Sequence, residues 1–320
     1  MTDQKEEFWK SKLSALLHDP LTKAFDIQKH DNLADKIKDF LDIPKDRGEE
    51  DHVASAMDRF PLPFEQNREK QIKVSWEETR LVHPFSGKEL SGLKEKLFND
   101  IEKAKGILEN LKNKNNDYEK LYHAVWWNLP WLVDGAQFLP ADTRVSNHSI
   151  VDHLDITAAL KGCINNNGKV EASLIAVSIG PVQELIAQAR KTKDLWAGSY
   201  LLSYLIYSAI EKIGLEYGFD SIIYPYLRGI PFVKETLEKK SIYLGTYYKL
   251  PTMSSKVASL PNIFVAVVPT GEADDVIEKC KQAINERWQK LSENAKKEIM
   301  NRVRSREVED FKEEVFDKQT

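Results

Sequence analysis

The sequence contains few cysteines and no long apolar run. Only Cys163 and Cys280 occur among its 320 residues, and no CxxC pair is present. This spacing argues against a disulfide framework and against a cysteine zinc site. The N-terminal stretch MTDQKEEFWKSKL has no secretory apolar region, and no segment approaches the length of a membrane span. We therefore expect a cytoplasmic protein that has no membrane partner.

The chain also lacks a strong excess of charge of either sign. Its net charge is −4, hydrophobic residues make up 42% and charged residues 30%. Such a composition is typical of a globular protein, and the length is sufficient for two domains or three. A globally basic nucleic-acid coat is excluded, whereas a local basic channel is compatible with these values.

One unusual stretch, SLIAVSIGPVQELIAQARKTKDLWAGSYLLS, covers residues 173–203. Residues 174–179 predict a buried strand that stops at Gly180-Pro181. Pro181 suits the first position of a helix, whose apolar face would carry Val182, Leu185, Ile186 and Ala189. Taken alone, this is a strand, a turn and a helix that any α/β or α+β domain could contain.

The amino-acid sequence of residues 180–203 closely resembles the signature of the large subunit of type III-B CRISPR effector complexes, which are the Cmr-type RNA-guided complexes. The resemblance implies a permuted HD domain followed by a first Palm domain, which is ferredoxin-like. It also implies half of a nucleotide-binding cleft, in which ATP is a candidate ligand. The contributors would be Gly180, Arg190, Lys191, Gly198 and Ser199, and the alternative is plain packing of a strand on a helix.

The N-terminal helical pattern ends in the pair His18-Asp19, just before Pro20. An imidazole nitrogen and a carboxylate oxygen suit a divalent transition metal that activates water, but the pair could equally be polar residues at a helix end. The segment LLHDPLTKAF resembles the opening of the HD domain in the same family. That resemblance implies a role for Lys23 and for the next histidine, His30, which could otherwise be a surface residue.

Two later segments contain further candidate ligands. In DHVASAMDRF, Asp58 resembles the aspartate that closes an HD site, although an exposed ion pair with Arg59 would explain it too. In SNHSIVDHLDITAAL we expect Ser146 or Asn147 to cap a helix that starts near His148. The resemblance implies that His148 is the first HD histidine, displaced by circular permutation, with His153 as the second choice. An interfacial capping-turn role is the alternative for His148.

These patterns predict an α+β protein with three regions. Residues 1–165 would form the mainly helical permuted HD domain, with an insertion over 61–116 and a core stripe of Trp126, Trp127 and Trp131. Residues 166–272 would form the Palm domain, with further strands at IIYPYL and NIFVAVVP. Residues 273–320 begin with apolar spacings that indicate one long amphipathic helix or a helix pair.

The resemblance also implies a function. The family's second Palm with its GGDD motif is absent here, so we expect an N-terminal portion that makes no cyclic oligoadenylates by itself. We expect metal-dependent cleavage of single-stranded DNA, with Mn, Ni or Co as cofactor and Mg as a further candidate. The expected partners are RAMP-fold and small Cmr-type subunits, guide RNA and target RNA. Two alternatives stay open: a degenerate HD scaffold that assembles these subunits, and an HD phosphohydrolase acting on small nucleotides.

Overall fold

The structure is a computed structural model of the chain. It describes residues 2–25, 30–45, 48–57, 81–82, 86–87, 89–90, 93–133, 135–141, 147–247 and 256–304. Within these ranges the protein is α+β, as the sequence predicts, with most residues in helices and with one small three-stranded sheet.

The first half of the chain is helical. Its helices are α1 (Thr2–Leu16), α2 (His30–Leu41), α3 (Glu49–Met57), α4 (Leu93–Lys114), α5 (Tyr118–Asn128) and α6 (Ile150–Lys161). Two of these helices begin at side-chain caps. Asp117 accepts a hydrogen bond from the Lys120 N–H at 2.8 Å, and Ser149 accepts one from the Asp152 N–H at 3.1 Å. The Asp152 carboxylate in turn contacts the Ser149 N–H, which completes a capping box.

The predicted insertion is described only in part. Strands β1 (Leu81–Val82) and β2 (Glu89–Leu90) form a short antiparallel hairpin before α4. The C-terminal half of α4 carries Leu108 and Leu111, which are buried in the main core. Helix α4 is therefore part of the packed body of the protein rather than only a surface lid.

The second half contains the sheet and the longest helices. Strand β3 (Ala172–Ser178) leads to α7 (Val182–Ala187), α8 (Thr192–Tyr217), β4 (Ile222–Tyr224), α9 (Pro231–Lys239), β5 (Ile263–Pro269) and α10 (Ala273–Arg304). The sheet order is β3-β5-β4, and both pairings are antiparallel, with Ile175 opposite Ala266. The helix predicted from residue 273 is confirmed as a single long helix, α10, which packs against α8.

The signature stretch differs from its prediction in two respects. Strand β3 is not buried: it lies at the edge of the described sheet, Ile175 alone is buried, and Leu174 is 66% exposed. The helix expected from Pro181 begins at Val182 and ends at Ala187, before Ala189, and none of its residues is buried. The next helix, α8, begins at Thr192. The N–H of Lys191, just before it, donates a hydrogen bond to the Asp194 carboxylate in the first turn.

One hydrophobic core joins the helical half to the sheet half. It includes Trp9 and Trp126 from the helices together with Ile206 and Phe219 from the second half. The rings of Trp126 and Phe219 stack at 5.6 Å, and Trp127 is also buried, so the predicted core role of Trp126 and Trp127 is confirmed, whereas Trp131 is only half-buried. None of the described helices is long and apolar enough to cross a membrane.

Candidate metal centre

The end of α1 brings His18 and Asp19 into the interior. The helix stops at Leu16, and the following turn buries both side chains, which are 6% and 5% exposed. The Nδ1 of His18 lies 2.8 Å from the Ala15 carbonyl oxygen. Because a carbonyl can only accept, Nδ1 carries the proton of the neutral ring and Nε2 is left as the atom that can bind a metal.

Four side chains from three segments converge around this Nε2. They are His18 and Asp19 after α1, Asp51 in the first turn of α3, and His153 in α6, and one ligand atom of each lies within 4.8 Å of the others. The two histidine Nε2 atoms are 3.2 Å apart. Asp51 Oδ1 lies 3.3 Å from each of these nitrogens. Asp19 Oδ2 lies 3.1 Å from His18 Nε2 and 3.7 Å from His153 Nε2.

The electrostatics of the cluster favour a bound cation. Burial opposes charge on both carboxyl groups, yet the hydrogen bonds and charges of neighbouring histidines hold the pKa values of Asp19 and Asp51 below their usual range. Burial likewise opposes protonation of His18, but Asp19 and Asp51 raise its pKa to about 9, so a cation that binds Nε2 displaces a proton from it. One buried carboxylate, Asp19, and one half-buried carboxylate, Asp51, supply the negative charge that a divalent cation requires.

The donor set fits a first-row transition metal. Two imidazole nitrogens that face each other at 3.2 Å, with two carboxylates beside them, place four donors around one point. Mixed nitrogen and oxygen donors suit Mn, Fe, Co, Ni or Zn better than Mg, which prefers oxygen ligands alone. Because no sulfur donor belongs to the cluster, a soft thiolate site is excluded at this position.

Three of the predicted residues thus meet in one place, and Lys23 lies at the edge of the cluster. Lys23 Nζ donates a hydrogen bond to Asp19 Oδ2 at 2.5 Å, and its side chain is 16% exposed. This ammonium group neutralises part of the negative charge of the carboxylates.

The structure places His148 next to this group but not within it. Helix α6 is capped by Ser149, not by Ser146 or Asn147, so His148 precedes the helix and its ring centroid lies 5.9 Å from that of His153. His148 Nδ1 lies 3.1 Å from Asn147 Oδ1. His153, the second choice on sequence, is the histidine that reaches His18.

Two other predicted ligands cannot be located. Asp58 lies outside the described residues, and so does the side chain of His30, whose backbone begins α2. Both stay predictions.

Asp51 was not predicted as a ligand, although the helical spacing contained a signal for it. Asp51, Ala54 and Asp58 are three and seven residues apart, so they share one face of a helix, and Ala54 is fully buried. By this spacing alone, Asp51 and Asp58 are equally good candidates for a ligand. Asp58 was preferred because of its position before Arg59, whereas the packing of α3 against α6 brings Asp51 to the histidines.

The five residues expected at a nucleotide cleft lie along the signature stretch. Gly180, Arg190 and Lys191 are exposed, while Gly198 and Ser199 are half-buried in the first turns of α8. They occupy the loop after β3, the loop after α7 and the start of α8.

Comparison with known families points to one group of proteins. Residues 174–293 match the family described as CRISPR-associated protein Cmr2, N-terminal. The Cmr2 subunit of the Cmr system of Pyrococcus furiosus is 29% identical, with 87% of this chain and 37% of that protein covered. The corresponding subunit of Saccharolobus solfataricus is 28% identical, with 92% and 34% covered.

Solved structures give the same result. A type III-B Cmr-beta complex in its apo state contains a chain of the same fold, with a TM-score of 0.63 and 24% identity over 89% of this chain. A chain of Cmr-beta bound to cognate target RNA gives a TM-score of 0.64 and 27% identity over 90%. This chain covers 33% and 32% of those chains, so it spans about a third of the length of its relatives. The resemblance seen in the sequence is confirmed: residues 174–293 match the N-terminal Cmr2 family, and most of the chain is similar to Cmr2 subunits, which supports a large subunit of a type III-B complex.

Proposed function

We propose that the chain acts in a type III-B CRISPR effector and that its four-ligand cluster is the metal centre of a nuclease that hydrolyses single-stranded DNA. The convergence of His18, Asp19, Asp51 and His153 is the observation that supports this proposal. The sign of a degenerate scaffold would be His18 and Asp19 without a third convergent side chain. Here a third and a fourth side chain converge with them.

The roles of the residues follow from their chemistry. His18, Asp19, Asp51 and His153 would hold the cation, which when bound supplies a Lewis acid that lowers the pKa of water at a phosphodiester. The Ala15 carbonyl fixes the tautomer of His18 that leaves Nε2 available. Lys23 would orient the phosphate by charge, because its ammonium group lies at the edge of the cluster.

The partners of the chain are part of the same proposal. The relatives are Cmr subunits, and one solved neighbour is a complex bound to cognate target RNA. We infer that this chain assembles with RAMP-fold and small subunits and, through the complex, with guide RNA and target RNA. Base pairing with the guide would then supply sequence specificity, and the nuclease would show little base preference. The segment from Gly180 to Ser199 would form half of a cleft for ATP.

The direct test is cleavage of a circular single-stranded DNA by the purified chain with Mn²⁺, Co²⁺, Ni²⁺ or Mg²⁺. We expect cleavage with a transition metal, and a loss of at least about 100-fold in Asp51→Asn, because one ligand becomes neutral. His52→Gln is the matched control, since His52 is the exposed neighbour of Asp51 on α3 and should keep full activity. With a circular substrate, the assay detects only endonuclease cleavage.

Three outcomes would contradict the proposal. Equal cleavage by the wild type and Asp51→Asn would place the chemistry elsewhere. Hydrolysis of small nucleotides without cleavage of DNA would favour the phosphohydrolase. Inactivity with every cation, together with normal binding of the other effector subunits, would favour the scaffold.

A further inference from the structure

Helix α6 is held on two of its faces. His153 points toward α1 and α3, where it meets His18 and Asp51. Asp155 follows two residues later, so the 100° turn per residue places it on a different face of the helix. There it is bound by Arg228, which lies in the turn that follows β4.

Arg228 is enclosed between two helices, α5 and α6. Its guanidinium forms a bidentate pair with Asp155, in which Nη2 donates to Oδ1 at 2.6 Å and Nη1 donates to Oδ2. Its Nε donates to the carbonyl oxygen of Trp126 in α5 at 2.7 Å. The guanidinium carbon lies 4.6 Å from the centre of the Trp126 ring, and the side chain is 1% exposed. This geometry requires an arginine, because a lysine cannot make the forked pair.

A second buried ion pair connects α6 to α3. Lys161 is the last residue of α6. Its Nζ lies 3.2 Å from Oε1 of Glu50, and both side chains are less than a tenth exposed. Glu50 precedes the ligand Asp51 on α3. The two helices that carry His153 and Asp51 are therefore fixed to each other, and Arg228 fixes α6 to the sheet half.

From these contacts we propose that Arg228 is a positioning residue of the metal centre, which holds α6 against the sheet half so that His153 reaches His18 and Asp51. This inference rests on the proposed metal centre. It makes the turn after β4 one of the physical links between the two halves of the molecule. Loss of a group that hydrogen-bonds directly to a metal ligand usually lowers metal affinity about 10- to 100-fold. Arg228 acts one step further out, through the position of α6.

The test compares cation affinity in variants that stay folded. Arg228→Met alone would leave Asp155 buried without its partner, so that variant could unfold. The double variant Arg228→Met/Asp155→Leu replaces the pair by apolar groups of similar volume and is expected to fold. We expect it to bind Co²⁺ at least about 10-fold more weakly than the wild type, with a changed visible absorption spectrum of the bound ion. The Co²⁺ affinity of Arg228→Lys should lie between that of the wild type and that of the double variant.

The control removes a buried contact of the sheet half that does not touch α6. The hydroxyl of Tyr207 donates to Thr236 Oγ1 at 2.6 Å between α8 and α9. Tyr207→Phe/Thr236→Val should lower stability but leave Co²⁺ affinity and spectrum unchanged. A purely structural role for Arg228 would make both double variants behave alike, and that result would overturn the positioning role.

The failures of the two proposals can be told apart. If wild type binds Co²⁺ and Arg228→Met/Asp155→Leu binds it equally well with the same spectrum, only the positioning role is wrong. If wild type binds no cation at all, the metal centre and the positioning role are both overturned.

Discussion

Asp51 and His153 determine whether His18 and Asp19 can form a cation site. A single histidine and aspartate at the end of a helix offer two donors, whereas protein sites for transition metals usually use three or four. Asp51 Oδ1 lies 3.3 Å from the Nε2 atoms of both histidines, so it adds a donor within reach of the same cation. The chemistry that we propose therefore depends on a residue that the motif alone did not identify.

His123 is a residue that should affect stability rather than chemistry. It is fully buried among the rings of Trp9, Tyr122 and Phe219, and neither ring nitrogen has a hydrogen-bond partner among the described residues. Burial and then the charge of Lys12 lower the pKa of His123 to about 3. The folded state keeps this imidazole neutral at pH values where the unfolded chain protonates it.

This difference predicts a loss of stability in acid. The folded pKa lies below the unfolded value of about 6.5, so the free energy of unfolding should fall as the pH drops below about 6.5. Between pH 7.5 and pH 5 the contribution of His123 is about 2 kcal/mol. Urea unfolding at both pH values should show that His123→Phe loses about 2 kcal/mol less than the wild type. Identical losses would mean that His123 is protonated in the folded protein.

At the scale of elements, α6 depends on its first turn. Ser149 accepts a hydrogen bond from the Asp152 N–H and donates one to the Asp152 carboxylate at 2.8 Å. His153 follows directly, so a frayed first turn would release a metal ligand.

Ser149→Ala should lower the free energy of unfolding in urea by about 1 kcal/mol, because an N–H at the helix start loses its acceptor. Ser149→Asn, which keeps a capping oxygen, should retain most of the stability. Equal stability of the alanine and asparagine variants would show that the cap contributes nothing to the folded state.

The sequence predicted elements well where one pattern dominated. Strand β5 and helix α10 have a continuous apolar run and a long helical period, and both lie where these patterns indicate. The start of α6 was misplaced because Ser146, Asn147 and Ser149 are all good caps, and only the fold selects Ser149. The end of α7 was placed too late because the apolar spacing continues through Ala189, whereas the helix ends at Ala187. Local pattern therefore predicted His18 and Asp19, whereas the packing of α3 against α6 was needed to identify Asp51.

At the scale of the whole molecule, the two halves share one core and several buried polar links. Lys12 in α1 binds Asp220 at 2.7 Å, and both side chains are fully buried. Arg228 adds a second link, from the turn after β4 to α6. A cation bound at His18, Asp19, Asp51 and His153 joins three segments of the helical half, so its binding energy should stabilise the chain against unfolding.

The most direct measurement is the thermal unfolding midpoint with and without Mn²⁺ or Co²⁺. At a cation concentration of about 100 times the dissociation constant, we expect the midpoint of the wild type to rise by about 5 °C. Asp51→Asn and His153→Gln should lose this rise, and His148→Gln should keep it, because His148 lies outside the cluster. A rise that survives in His153→Gln but disappears in His148→Gln would contradict the metal centre described above.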